Sequence, residues 1–330
     1  MKFVKIILGF SILLVIIYLL GPHPSKPVYD QALPMVPTEA STLEQYISLE
    51  EAKHAVKKDN EANIIWADSS KKKTAYAIVY LHGFSASWME GDPAHRNLAK
   101  EFGCNLYLAR LAEHGIDTTE ALINMTADNL WETAKQAYAI GKQIGDKVIL
   151  MGTSTGGTLA LQLAATYPEV GGLILYSPNI AINDPNAWLL NNPWGVQIAR
   201  LVKSSKYNLI QGDTSYAKYW NTKYRLEAVA NLEELLETKM NEATFKSIKQ
   251  PVLTLYYYKN EQAQDNVVKV SATKAMFEQL GTSADKKRSV AMPITGNHVL
   301  ASPILSKDVV GVERETEKFL KEILLLKPLK

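Results

Sequence analysis

Ser154 is the residue whose surroundings most clearly prepare it for chemistry. It stands in Gly152-Thr153-Ser154-Thr155-Gly156, with Gly157 next, between the apolar run Lys147–Gly152 and an Ala- and Leu-rich segment that begins at Thr155. A strand that turns abruptly into a helix, with glycine two positions either side of a serine, presents the hydroxyl at the tip of a strained G-x-S-x-G elbow. The helix N-terminus behind it favours developing negative charge. The pentapeptide alone is a weak signal; the flanking strand and helix make it specific.

A serine hydroxyl is a poor nucleophile without a positioned base. The chain has six histidines. His23 lies in a proline-rich segment, His54 ahead of the strands, His95 in a charged helix start, and His114 before the nucleophile. His298 alone follows Ser154, in Ile294-Thr-Gly-Asn-His-Val-Leu300 after the last strand candidate. Elbow-type triads run in the order Ser, acid, His, so the acid belongs between them. The segment after Val252–Tyr258 offers Glu261 and Asp265. Asp265 ends that loop just before a helix and is favoured, with Glu261 as the alternative; it would orient His298 and stabilise the imidazolium. Upstream, Leu81-His82-Gly83-Phe84 closes a buried strand and opens a loop. The backbone N–H groups of Phe84 and Thr155 are the expected oxyanion donors, and His82 is expected to hold the loop without moving a proton.

Short apolar runs alternate with helix-length segments across the body. Strand candidates are 62–67, 76–81, 105–110, 147–152, 172–176, 252–258 and 289–293; helix candidates are 93–102, 127–144, 155–167, 271–280 and 310–324. Several strands are apolar throughout, as strands buried on both faces are. The alternation predicts an α/β fold with a mostly parallel sheet covered on both sides. From Ser177 to Gln250 it breaks. That stretch lacks a strongly apolar strand and holds Trp188, Trp194, Tyr207, Tyr216, Tyr219, Trp220 and Tyr224, so a helical cap inserted after a sheet strand is expected.

Composition sets outer limits. Of 330 residues 47% are hydrophobic and 21% charged, with 36 Lys+Arg against 34 Asp+Glu. Lys2 and Lys5 lie in an acid-free first segment, so the remainder balances (36 − 2 = 34 against 34) and gives no reason to expect nucleic acid as a partner. Cys104 is the only cysteine, which excludes an intrachain disulfide and a cysteine-based metal centre; no Cys/His/carboxylate cluster with ligand spacing suggests a metal. Residues 3–20 carry one charge, Lys5, and as a helix would extend roughly 27 Å, so a membrane-spanning signal anchor with an exported catalytic body is expected, cleavage being the alternative. Prolines 22, 24, 27, 34 and 37 then predict an extended tether outside the core.

The sequence closely resembles the α/β-hydrolase superfamily, and within it the monoacylglycerol lipase, lysophospholipase and small carboxylesterase group. The resemblance rests on Leu81-His82-Gly83-Phe84, Arg110–Asp117, the elbow at 152–157, Tyr167–Val170, Asp265–Val268 and Gly296-Asn297-His298. It implies about eight strands, a cap after strand six, no cofactor, and a structural role for His114. The expected division is an anchor at 1–21, tether and leading helix at 22–59, core at 60–177 and 251–330, and cap at 178–250. The expected function is hydrolysis of carboxylic esters with lipid-like or other apolar acyl groups by Ser154, His298 and Asp265, through an acyl-enzyme. The alternatives are a peptidase or amidase on the same fold and a catalytically silent membrane-tethered binding protein.

Overall fold

The computed structural model describes residues 2–329, with only the backbone of Lys2; Met1 and Lys330, the ends of the first and last expected segments, lie outside the described residues. Helix α1 (Lys2–Leu19) and α2 (Ala40–Glu51) precede the sheet. Then follow β1 (Asn63–Ile65), β2 (Thr74–Leu81), α3 (Ala94–Glu101), β3 (Asn105–Leu108), α4 (Ala127–Ile144), β4 (Gly145–Thr153), α5 (Thr155–Thr166) and β5 (Gly172–Tyr176). The inserted region carries α6 (Gly195–Lys203), β6 (Tyr207–Leu209), α7 (Thr214–Tyr219), β7 (Lys223–Arg225), α8 (Leu226–Lys239) and α9 (Glu242–Ser247). The chain returns through β8 (Val252–Tyr256), β9 (Tyr258–Asn260), β10 (Ala263–Gln264), α10 (Val270–Gln279), β11 (Lys287–Ala291) and α11 (Val309–Glu322).

Seven strands form the main sheet in the order β1-β3-β2-β4-β5-β8-β11. Only β1 is antiparallel to its neighbour; the other pairings are parallel. Successive side chains of a strand point to opposite faces. Along β2, Ala77, Val79 and Leu81 accordingly join the core layer beneath α4 and α5, while Ile78 and Tyr80 join the layer beneath α3 and α11. Burial on both faces is why β2 and β4 read as continuous apolar runs. Helix α4 begins at a reciprocal cap, in which Thr126 accepts from the Asn129 N–H and Asn129 accepts from the Thr126 N–H.

From β2 the chain steps outward to β3 and then crosses to β4 on the other side of β2. The loops leaving the carboxyl ends of β2 and β4 therefore diverge and leave a crevice, the usual ligand site of an open parallel sheet. This reversal of strand order sets Gly83 and Ser154 side by side.

Three expectations need correction. The sheet has seven strands rather than about eight, and the cap follows the fifth of them; residues ahead of β1 form α2 and irregular chain instead of another strand. The membrane anchor is also overturned. Helix α1 has 18 residues, but Lys5 leaves only Ile6–Leu19 free of charge, about 21 Å of helix against a hydrocarbon core of ~30 Å. Among the described residues no helix is long and apolar enough to cross a membrane, so the attachment expected through a spanning N-terminal helix, and the location inferred from it, are not supported. Finally, the proline-rich segment is extended but is no free tether. Asp128 accepts the N–H groups of Val28 and Tyr29, the Trp131 indole donates to the Asp30 carbonyl at 2.6 Å, and the buried Tyr29 ring joins the core.

Candidate active site

Ser154 occupies the turn between β4 and α5 with φ 53° and ψ −118°, a backbone conformation that a side-chain-bearing residue adopts only when its surroundings impose it. Three backbone hydrogen bonds do so: its N–H donates to Tyr176, and its carbonyl accepts from Thr158 and Asn179. The elbow needs a very close approach of backbones. A Cβ added to Gly156 would lie 1.9 Å from the Leu81 carbonyl oxygen at the end of β2. Gly156→Ala is therefore expected to push β2 and its following loop away from α5, costing about 1–3 kcal/mol or more. A lowered Tm together with loss of labelling by a fluorophosphonate checks this; unchanged labelling and Tm would show that the contact is soft.

His298 lies in the loop between β11 and α11, and Asp265 follows the small β9–β10 hairpin. The Asp265 Oδ2 atom is 2.6 Å from His298 Nδ1. Its Oδ1 atom accepts from the N–H groups of Val267 and Val268 at 2.8 and 3.1 Å. Burial alone would raise the Asp265 pKa, but His298 and these two amides outweigh it and hold the carboxyl below its ordinary range. Burial would likewise depress His298, yet Asp265, with a contribution from Glu90, keeps it above the ordinary histidine value of 6.5. Glu261, the alternative acid, sits at the hairpin tip, exposed and bonded to the Tyr258 hydroxyl and Gln264.

Ser154 and His298 face one cavity of about 590 Å³. The hydrogen-bond network runs from the Val267 and Val268 amides through Asp265 to His298, and Ser154 lines the same cavity as His298. Phe84 also lines it, and Thr155 opens α5, where the first N–H groups of a helix have no partner within the helix. The cap supplies the roof. Of the seven aromatic residues noted in its sequence, Tyr216, Trp220 and Tyr224 reach the cavity, with Tyr216 and Trp220 stacked at 4.8 Å. Trp188 is exposed, and Trp194 donates instead to the Ile17 carbonyl. Ile182, Ile210, Val229, Leu232 and Ile304 complete a largely apolar wall.

The other buried histidines, His82, His95 and His114, each bond to the backbone through a ring nitrogen. His82 Nε2 accepts the Leu111 N–H, which places its proton on Nδ1, donating to the Gly83 carbonyl at 2.9 Å. Burial drives His82 well below its ordinary value, and takes His114 down to about 4 and His95 to about 3, so all three are neutral at pH 7. Two cavity residues escaped the sequence reading. Asn179 is buried with its Oδ1 atom unpartnered, and Glu90 is 2% exposed. A glutamate in Trp88-Met-Glu-Gly-Asp92 has no local mark that separates it from a surface acid; only the folded loop shows where it goes. Among the described residues no group of His, Cys, Asp and Glu could hold a metal ion.

Residues 121–292 match the family described as serine aminopeptidase, S33. No curated protein matches the sequence. Among solved structures, the chain is similar to the metagenome-derived lipolytic enzymes LipS and LipT, at 17% identity and a TM-score of 0.65 over 81% of this chain and 99% of that one. It is also similar to Est1E from Butyrivibrio proteoclasticus with ferulic acid bound, at 18% identity and a TM-score of 0.52 over 80% of this chain and 95% of that one. A soluble variant of monoglyceride lipase from Saccharomyces cerevisiae, in complex with a substrate analogue, aligns at 14% identity and a TM-score of 0.52 over 79% and 90%. At these identities the likeness is one of fold.

Proposed function

Because the chain belongs to the serine aminopeptidase S33 family and is thus a serine hydrolase on the α/β-hydrolase fold, we propose that it cleaves carboxylic esters with apolar acyl groups through Ser154, His298 and Asp265. The observation that carries this reading is the pinned imidazole. His298 is fixed at Nδ1 by an ionised, buried Asp265 and shares a cavity with a serine held at a strained elbow. The catalytic core is then 60–177 with 251–330, and 178–250 is the cap over the site.

In the acylation step His298 Nε2 takes the Ser154 proton as Oγ bonds to the ester carbonyl carbon. The oxyanion rests on the Phe84 and Thr155 amides, and the imidazolium is stabilised by Asp265. Collapse expels the alcohol, which leaves with the proton from His298. Water then repeats the sequence on the acyl-enzyme and releases the acid. No cofactor enters these steps.

The wall of Ile182, Ile210, Tyr216, Trp220 and Leu232 supports an apolar acyl group, since these side chains offer apolar contact beside the polar groups of the same cavity. A second reading, cleavage of a peptide or amide from an amine-bearing substrate, draws on the family description and on Glu90, a carboxyl in the cavity. That carboxyl already accepts the Gly83 N–H, which favours the ester reading. A matched panel of p-nitrophenyl esters, thioesters and aminoacyl amides decides between them. Ester turnover rising from acetyl to longer acyl chains is expected, and turnover of the amides alone would overturn the proposal.

A further inference from the structure

Glu90 lies in a single helical turn at Trp88–Gly91 and reaches back across the loop that follows β2, where its Oε2 atom accepts the Gly83 N–H at 2.5 Å. A Cβ placed on Gly83 would lie 2.9 Å from both Glu90 oxygens and 3.0 Å from the Ser154 Cβ, so the carboxyl, the glycine and the nucleophile are packed against one another. His82 holds the other side of the same glycine by donating to its carbonyl. That carbonyl and the Phe84 N–H belong to one planar trans peptide and point in opposite directions. With the peptide before Gly83 tied by Glu90 and the peptide after it tied by His82, the direction of the Phe84 N–H is fixed.

We propose that Glu90 is a positioning residue for the Phe84 amide, clamping the oxyanion loop from inside the cavity that holds Ser154 and His298. The proposal rests on the serine-hydrolase reading above for its catalytic consequence. A hydrogen-bond donor contributes to oxyanion stabilisation only when it is already aimed at the developing charge, and losing one donor costs about 10²–10³ in rate. Nothing in the fold of the loop requires an acid here, because a glutamine could accept the same N–H.

The acid adds a charge. Burial raises the Glu90 pKa to about 7, against the pull of His298, the Gly83 N–H and the Trp220 indole. The titratable groups set against it are Tyr80 from β2, Tyr216 from α7 and His298 from the loop after β11. Burial pushes both tyrosines up, which leaves His298, held above its ordinary value by Asp265 and Glu90, as the partner whose charge Glu90 affects. Ionised Glu90 favours the imidazolium. Removing its charge must therefore lower the His298 pKa and move the acidic limb of kcat/KM to lower pH.

The test compares wild type, Glu90→Gln, Glu90→Ala and Ser154→Ala in the full chain. Glu90→Ala is expected to lose about 10²-fold in kcat with KM within about threefold, while Glu90→Gln stays within about fivefold of wild type at its own optimum. Should Glu90→Ala not fold, Glu90→Asp, whose carboxylate is drawn back by one methylene, takes its place with the same expected loss. The second arm needs no substrate. The Gly83 amide proton, followed by NMR with glycine-selective labelling, is expected to lie at a hydrogen-bonded, downfield shift in wild type and Glu90→Gln and to move upfield in Glu90→Ala. The His298 imidazole in Glu90→Gln is expected to titrate at lower pH. A Gly83 amide proton with the same shift in Glu90→Ala as in wild type, or a Glu90→Ala enzyme as fast as wild type, overturns the proposal. Equal rates for wild type and Ser154→Ala would instead remove the hydrolase reading and leave the NMR arm to decide the clamp.

Discussion

Ser154→Ala is expected to abolish ester hydrolysis, with kcat falling about 10⁶-fold and substrate affinity little changed. The asymmetry follows from where the hydroxyl acts. Ser154 touches the reacting carbonyl, whereas the wall that would bind the acyl group is made by the cap and the loops after β5 and β11. Alanine fits the same strained turn as far as space allows, so the variant should fold, and its Tm should lie close to that of wild type. Steady-state rates on p-nitrophenyl butyrate, with fluorophosphonate labelling as a second readout, check the expectation. A variant that keeps a tenth of the wild-type rate, or that still takes the label, would sink the assignment of the nucleophile.

The second large effect concerns the acid. Asp265→Asn is expected to lower kcat about 10⁴-fold, since an amide can donate to Nδ1 and hold the imidazole in the wrong tautomer. Glu261→Gln should leave kcat within about twofold, because that side chain lies in solvent at the hairpin tip. The pH profile gives an independent sign. Asp265 outweighs burial to keep the His298 pKa above 6.5, so its removal should carry the acidic limb of any residual activity to lower pH. Comparable losses in both variants would mean that the two acids share the work, and a loss confined to Glu261→Gln would transfer the role.

Much of the frame was legible along the chain. The helix expected over 127–144 is found as Ala127–Ile144, since its cap residues Thr126 and Asn129 and its apolar spacing are all local signals. The elbow was legible for a similar reason: glycines, strand and helix are contiguous, so one short window carries the whole pattern. The choice between Glu261 and Asp265 was less so. A tight β9–β10 hairpin turns Glu261 outward and delivers Asp265 to His298, and neither its short strands nor their bulged register leave a period to read. The first helix failed for a quantitative reason. Counting apolar residues from position 3 gives a length near the spanning limit, and placing Lys5 inside the helix removes the margin.

The sequence by itself determined the α/β alternation, the elbow at Ser154, the histidine that follows it and the strand leading to Gly83, because each depends on neighbours within a few residues. Tertiary structure alone decided which acid meets His298, that the proline-rich segment is strapped to α4, and that Glu90 is buried against Gly83 and the elbow. Those outcomes depend on strand order and on the loss of water around charges brought together from distant parts of the chain. Neither is a property of any one segment.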